Sequence, residues 1–387
     1  MSMPSQSLSR VLEWRKDWTG RYDPSVIRVR RAYLETLAPR DIVLLSNRVR
    51  EARRGRMALA HELAFPVEDE LEMVSGVEST SNPFELAGLA DVPGDDCFVT
   101  QQRFEALCVL DLAVMMSELE RGDPMDRVEA DQGAMIALLE EHVFSGTPID
   151  LDVFTYHDPA PSGMYRVREV RYQDPASLPA WLERKHNSRC RITRDGIVAH
   201  FTGKPKDRFD TVIKLLRQVS RPKEGWNPCV VKDRCRCTFV VQDIGCVRAL
   251  SGELRSVLGV HGALLHDGGD NLTVMTTGAS DPTNPFSSPK FRKKQFDLQW
   301  HGRWYEIQIV TFDGFYGARY ASDTQNHAIY KLLQGTRDIL PAFYPPHVYL
   351  EDGETWSAPE LQRLLLDRQV QNLGWSQRRR NGHAGSH

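Results

Sequence analysis

The sequence predicts an α+β fold in which a mainly helical N-terminal region precedes a mixed β-sheet flanked by helices. Within residues 100–121, apolar side chains recur at the spacing of a buried helix face: Phe104, Leu107, Cys108 and Leu112. After Pro148, short alternating runs appear instead, such as Tyr165–Val170, and alternation is typical of strands. Asp195-Gly196 lies between two such runs and predicts a hairpin turn.

The length of 387 residues suggests about two or three domains. We expect residues 1–125 to be a mainly helical region of unassigned role, with a loop or linker at Ser75–Gly94, which is rich in Ser, Asn, Pro and Gly. The sheet is expected within residues 126–355. Residues 356–387 are expected to form a C-terminal helix and a basic, disordered tail.

The composition is that of an ordinary globular protein, with 41% hydrophobic and 26% charged residues and a net charge of -3. No apolar run approaches the ~20 residues of a membrane span, and Met1–Arg10 lacks the pattern of a secretory signal. We therefore expect a cytoplasmic protein without a membrane partner. Seven irregularly spaced cysteines argue against a disulfide framework.

A first chemical feature is the helix predicted to follow Gly203-Lys204-Pro205-Lys206. Its buried stripe is predicted from the helical spacing of Phe209, Val212, Ile213 and Leu216. Lys206 and Lys214 then fall on another face, near a helix start, where two ammonium groups suit a polyphosphate. A solvated helix face is also compatible with this pattern.

A second feature is the strand predicted at residues 230–241. Alternation places Asp233 on one face with Cys235, Cys237 and Phe239. A carboxylate among apolar side chains is costly to bury unless it is paired or holds a metal. Asp233 is therefore either a metal ligand or an acidic residue at a frayed strand end, paired with Arg234 or Arg236.

A third feature is the strand predicted at residues 304–310. Glu306 and Gln308 share one face, and the other face carries Tyr305, Ile307 and Ile309. Two strands that each offer a carboxylate to one face are typical of a Mg²⁺ site for nucleotide chemistry. A half-exposed strand is the alternative interpretation.

The order of these features resembles the synthetase domain of RelA/SpoT-type alarmone synthetases, over about a third of the chain. Those domains pass from a Lys-rich helix to a strand with a metal-binding Asp. A Glu-x-Gln-Ile-Arg-Thr strand follows, and then a His-x-x-Tyr-Lys helix end, matched here by His327–Lys331 in the helix predicted after Asp313.

The resemblance implies a nucleotidyltransferase-like fold, ATP as donor and Mg²⁺ as cofactor. It implies that Asp233 and Glu306 bind the metal and act in catalysis. It also implies nucleotide contacts from the residues that match the remaining motif positions: Lys206, Lys214, Arg236, Gln308, His327 and Tyr330.

The implied reaction is Mg²⁺-dependent transfer of pyrophosphate from ATP to a hydroxyl of a nucleotide or RNA acceptor, with release of AMP. Val310 replaces the Arg of the family motif, and the family's Asn-Gly-Tyr after Pro289-Lys290 is missing. A catalytically inactive module that binds nucleotide or RNA is therefore the alternative. An RNA acceptor would suit a basic patch predicted from Lys290, Arg292, Lys293 and Lys294, which is also compatible with a solvated loop.

Overall fold

The protein is described by a computed structural model that covers residues 6–14, 22–63, 73–159, 165–171, 183–220, 231–273, 292–320, 335 and 338–349. The chain divides into two compact units, each assembled from separate stretches. The first unit contains Met1–Val128, Lys206–Val231 and Gln334–Gln362, and the second contains Glu129–Pro205, Lys232–Leu333 and Arg363–His387. The sequence analysis expected contiguous domains, and those boundaries remain a prediction.

The described part of the first unit is helical, as the sequence predicts. Its helices are α1 (Gln6–Glu13), α2 (Pro24–Glu35), α3 (Pro39–Leu63), α4 (Ser75–Ser79), α5 (Pro83–Ala90), α6 (Cys97–Gly122) and α8 (Arg208–Ser220). Two short helical turns, Leu340–Phe343 and Pro346–Tyr349, belong to the same unit. Helix α7 (Met125–His142) runs from the end of this unit's first stretch into the second unit.

Helix α6 is the centre of the first unit. Nearly all of its side chains from Arg103 to Leu119 are buried, because α1, α3, α4, α5 and α8 pack around it. The packing is close between α3 and α8, where a Cβ atom on Gly55 would lie 2.4 Å from the ring of Phe209. A glycine at this position therefore allows the apolar stripe of α8 to reach the bundle.

The segment 75–94 corrects one expectation, because it contains the helices α4 and α5 where a loop was predicted. Asn82 caps α5 by accepting a hydrogen bond from the backbone N–H of Phe84 at 3.0 Å, and Pro83 occupies the first turn. Asn and Pro favour turns, but both also favour helix starts. Composition alone did not separate the two structures.

The second unit is built on a mixed sheet, as the sequence predicts. Its eight described strands are β1 (Phe144–Pro159), β2 (Tyr165–Arg171), β3 (Glu183–Thr193), β4 (Val198–Pro205), β5 (Cys235–Val241), β6 (Leu264–Asp270), β7 (Lys294–Trp300) and β8 (Arg303–Thr311). They lie in the order β2-β1-β3-β4-β5-β8-β7-β6, in which β5 and β8 are parallel and the other neighbours are antiparallel. Gly196, with φ +80, makes the predicted β3–β4 turn.

Helices cover both faces of the central strands. On one face, Gln132 of α7 donates a hydrogen bond to Cys237 Sγ at 3.3 Å, and Arg255 of α9 (Ile244–Val260) lies over the Phe296 ring at 4.9 Å. On the other face, α10 (Phe312–Tyr320) closes an apolar cluster with Val240 and Val310. This cluster lies near the C-terminal ends of β5 and β8. On the same face, the residues near the N-terminal ends of these two strands are polar.

In the part of the chain that the structure describes, no helix is long and apolar enough to span a membrane.

Candidate functional site

Five adjacent strands place a row of polar residues on one face of the sheet, with Glu306 at its centre. The strand register puts Glu306 beside Arg236 on one side and beside Asp297 on the other. Lys204 lies opposite Arg236, and His266 lies opposite Asp297. The row therefore has a cationic side, Lys204 and Arg236, and an anionic side, Glu306 and Asp297, beyond which lies His266. We call the face that carries this row the polar face.

Glu306 and Gln308 occupy the polar face as predicted, with 9% and 7% of their surface exposed. Gln308 Nε2 donates a 2.7 Å hydrogen bond to Glu306 Oε1. The alternate residues Tyr305, Ile307 and Ile309 are buried on the opposite, apolar face. The strand is thus buried on both faces, and a buried polar pair among packed strands is costly unless its bonds are satisfied.

Asp297 is a site residue that was not recognised in the sequence. It is directly opposite Glu306 in the antiparallel pairing of β7 and β8, so the two side chains project from neighbouring strands to the same face. Its Oδ1 accepts a 2.7 Å hydrogen bond from Gln295 Nε2. The signal was present, because Gln295, Asp297 and Gln299 alternate with Phe296 and Leu298.

Two lysines compensate the charge of this acidic pair. Lys232 Nζ lies 3.4 Å from Asp297 Oδ2 and 4.5 Å from the ring centre of Trp304. Lys293 is half-buried just before β7. Its burial lowers the pKa of the ammonium group, the charges of Glu306, Asp297 and Asp233 oppose that shift, and Arg236 adds to it. Lys293 is therefore influenced by the charges of Asp233, Arg236 and Glu306, which were predicted for this site, and by that of Asp297.

Asp233 does not have the position that alternation predicted. It precedes β5, in the turn at residues 231–234, and β5 begins at Cys235. From β5 it is Arg236 that faces Glu306, while Cys235 and Cys237 are buried on the apolar face. The strand was predicted to begin at residue 230, and Asp233 lies two residues before its observed start. The second carboxylate facing Glu306 from a neighbouring strand is Asp297, and the metal role of Asp233 remains a prediction.

Val310 is a core residue. It is fully buried in one cluster with Val240, Phe312 and Tyr316. The position at which the family motif carries an arginine is therefore enclosed by apolar side chains. A phosphate-directed cation has no place there in this chain.

The predicted basic patch is not a single exposed surface. Of its described members, only Arg292 is exposed. Lys293 lies near the acidic pair, and Lys294 is 3.4 Å from Asp270 Oδ2 and 5.4 Å from the ring centre of Phe296. Lys290 lies outside the described residues. The three described side chains therefore lie in different surroundings and do not form one basic surface.

Lys206 and Lys214 belong to the first unit. Lys206 lies two residues before α8 and Lys214 lies on that helix, and both are half-exposed. Asp207 caps this helix, since its Oδ1 accepts a 2.7 Å hydrogen bond from the backbone N–H of Asp210. The helix start is thus partly occupied by a carboxylate of the chain itself. The predicted nucleotide contacts of His327 and Tyr330 lie outside the described residues.

The oxygen donors on the polar face fit a magnesium ion better than a transition metal. Mg²⁺ usually takes one or two protein carboxylates and completes its shell with water and substrate phosphates. Asp297 and Glu306 offer such a pair from neighbouring strands. Among the residues that the structure describes, no group of three or more His, Cys, Asp or Glu is arranged to hold a metal by itself. An ion here would depend on a bound phosphate for its remaining ligands.

Comparisons with protein-family models, with curated proteins and with solved structures found no significant match to this chain.

Proposed function

We propose that the chain is a nucleotidyltransferase-like, Mg²⁺-dependent pyrophosphokinase, which transfers pyrophosphate from ATP to a hydroxyl of a nucleotide or RNA acceptor and releases AMP. The observation that carries the proposal is the position of Glu306. It lies between the cation of Arg236 and the carboxylate of Asp297, in register across three neighbouring strands. Transfer of a phosphoryl-type group needs cations at the donor phosphates and a carboxylate at the attacking hydroxyl. In this row the cations Arg236 and Lys204 lie on one side of the Glu306 carboxylate.

On the cationic side, Arg236 and Lys204 are exposed and directly opposite each other. Like charges in this arrangement repel each other, and a bound polyphosphate would remove that cost. Magnesium, when bound with ATP, neutralises charge that develops on the transferred group.

On the anionic side, Glu306 orients the acceptor hydroxyl and draws its proton as the hydroxyl oxygen attacks the β-phosphorus. The bond from the β-phosphorus to the oxygen bridging it to the α-phosphorus breaks. AMP leaves with that oxygen and with the bonding electrons. In this mechanism Gln308 orients the Glu306 carboxylate through its 2.7 Å hydrogen bond to Oε1.

The test is Glu306→Gln, which keeps the size of the side chain and removes its charge. Formation of AMP from labelled ATP, with Mg²⁺ and a mixture of nucleotides and RNA, should fall by at least about a hundredfold, the usual lower range for a general base. Glu129→Gln, which neutralises an exposed carboxylate of α7, should retain full turnover. Circular dichroism should be the same for both variants and the wild type.

Two results would contradict the proposal. Retained AMP formation in Glu306→Gln would remove Glu306 from the chemistry. A wild-type chain that binds ATP but forms no AMP with any acceptor would instead support the inactive binding module. Mass spectrometry of the product would identify the molecule that gains the pyrophosphate.

A further inference from the structure

Trp304 is an aromatic side chain among the polar residues of the candidate site. It lies on the polar face, two residues before Glu306, and it is half-buried. On the opposite face of this strand Tyr305 and Ile307 are buried, and on the polar face Val310 is buried in an apolar cluster near the end of the strand. The next two side chains on this face of the strand, Glu306 and Gln308, are polar. Trp304 therefore supplies an aromatic surface within a polar site.

The described contacts of the Trp304 ring are with polar or exposed side chains. His266, which is exposed on β6, has its ring centre 5.2 Å away at a tilt of 41°. Lys232 Nζ is 4.5 Å from the ring centre, and its side chain is 49% exposed. Both partners are exposed groups that a flat ligand can displace, and each can still contact that ligand afterwards.

The Trp304 ring lies on the Asp297 side of Glu306. Arg236 and Lys204 lie on one side of Glu306, whereas the ring contacts His266 and the lysine that pairs with Asp297, on the other side. Two residues along a strand are about 7 Å apart and face the same way. If a nucleobase stacks on Trp304, the ribose attached to it would therefore lie close to the Glu306 carboxylate.

We propose that Trp304 is the stacking platform for the nucleobase of the acceptor, with His266 as its second wall and Lys232 as a cation for the acceptor's phosphate. This inference rests on the proposed function, because it places the acceptor hydroxyl at Glu306. Stacking on an aromatic ring is favourable for every nucleobase, because each base has a π-face. The platform therefore recognises the acceptor as an aromatic base, either of a free nucleotide or of a single-stranded RNA end.

The experiment compares binding in the wild type, Trp304→Leu and Trp304→Phe by isothermal titration calorimetry. The probes are GDP, ADP, ATP and a single-stranded RNA octanucleotide, each with Mg²⁺. In Trp304→Leu the Kd of the accepted probe should rise about tenfold or more, and Trp304→Phe should keep it within about threefold of the wild type. The Kd of ATP should change less than about twofold, because its phosphates are assigned to the cationic side.

Trp300→Phe is the matched control. Trp300 lies on the apolar face, and its Nε1 donates a 3.1 Å hydrogen bond to the His261 carbonyl. This control should lower the stability and leave every Kd unchanged. Loss of GDP or ADP binding identifies a mononucleotide acceptor, and loss confined to the octanucleotide identifies an RNA end.

Equal affinities in the wild type and Trp304→Leu would overturn the platform, and so would the absence of binding by all probes. An equal loss of ATP affinity would assign the ring to the donor and overturn its acceptor role. These outcomes are separate from failure of the proposed reaction. Trp304-dependent binding without AMP formation would support stacking of the base on Trp304 and contradict the proposed reaction.

Discussion

Asp297 lies directly opposite Glu306 in the antiparallel pairing of β7 and β8. Two carboxylates in such a pair repel each other, and a sheet tolerates them when cations are close. Lys232 and Lys293 provide that charge here. In the proposed reaction, Asp297 and Glu306 are the carboxylates that would hold the divalent cation.

The first prediction concerns Asp297→Asn, which keeps the hydrogen bond from Gln295 and removes one charge of the pair. The Mg²⁺ concentration for half-maximal AMP formation should rise about tenfold, equivalent to ~1.4 kcal/mol of lost cation binding. Lys232→Met is the comparison, because it removes the 3.4 Å ion pair but keeps both carboxylates. That variant should not raise the Mg²⁺ requirement. An unchanged requirement in Asp297→Asn would exclude this carboxylate from the cation site.

The second prediction concerns Val310→Arg, which introduces the arginine found at this position of the motif that the strand resembles. Because Val310 is fully buried among Val240, Phe312 and Tyr316, the guanidinium would be buried without a counter-charge. We expect a loss of about 3–5 kcal/mol in the free energy of unfolding, measured with urea. Val310→Thr, which has the same shape and a neutral hydroxyl, should lose about 1–3 kcal/mol. A stable Val310→Arg with raised activity would show that the site accommodates the cation.

The strands were predictable because burial imposes a period of two on their side chains. Glu306 and Gln308 were placed correctly on one face and Tyr305 and Ile307 on the other, since both faces of β8 are occupied by distinct environments. The position of Asp233 was not predictable in the same way. Alternation gives the face of a residue only inside the strand, and a pattern does not mark where pairing starts.

The alternation of residues along a strand also does not show which strands are neighbours in the sheet. Whether Asp297 or Asp233 faces Glu306 depends on which strands are neighbours and on their register. Both are set by contacts between residues distant in the sequence, here the parallel pairing of β5 with β8 and the antiparallel pairing of β7 with β8. The face on which Glu306 lies was therefore predictable from the sequence, whereas its partners on the neighbouring strands were not.

The third prediction is a pH dependence that arises from His200, on β4. Burial lowers the pKa of His200, the hydrogen bond to the Arg189 carbonyl opposes the shift, and the charge of Arg319 adds to it. The unfolded chain then binds a proton more readily than the folded chain. This contribution to stability is fully present above the ordinary histidine pKa of about 6.5 and is lost as the pH falls through the lower folded pKa.

Urea unfolding at pH 7.5 and pH 5.5 checks this prediction. The loss of stability between these values should be smaller in His200→Asn than in the wild type. His347→Gln, which replaces an exposed histidine of the first unit, should leave the pH dependence as it is. An identical pH dependence in His200→Asn and the wild type would contradict the assignment.

The fourth prediction concerns the buried ion pair of the first unit. Arg56 Nη2 is 3.6 Å from Glu105 Oε1, and both side chains are almost fully buried. Glu105 also accepts hydrogen bonds from the Val74 backbone N–H at 2.7 Å and from the Tyr349 hydroxyl at 3.0 Å. Glu105→Gln would leave the Arg56 guanidinium without its closest counter-charge, although Tyr344 still lies against it, with the guanidinium carbon 4.3 Å from the ring centre.

We expect Glu105→Gln to lower the free energy of unfolding by about 3–5 kcal/mol, because an uncompensated charge stays buried. Arg56→Met combined with Glu105→Leu removes both charges, and it should recover most of that loss. Glu51→Gln is the surface control: it breaks the pair between Arg48 and Glu51 in α3, where the side chains are 16% and 28% exposed, and should cost less than about 1 kcal/mol. If Glu105→Gln costs no more than Glu51→Gln, the buried pair does not stabilise the helical unit.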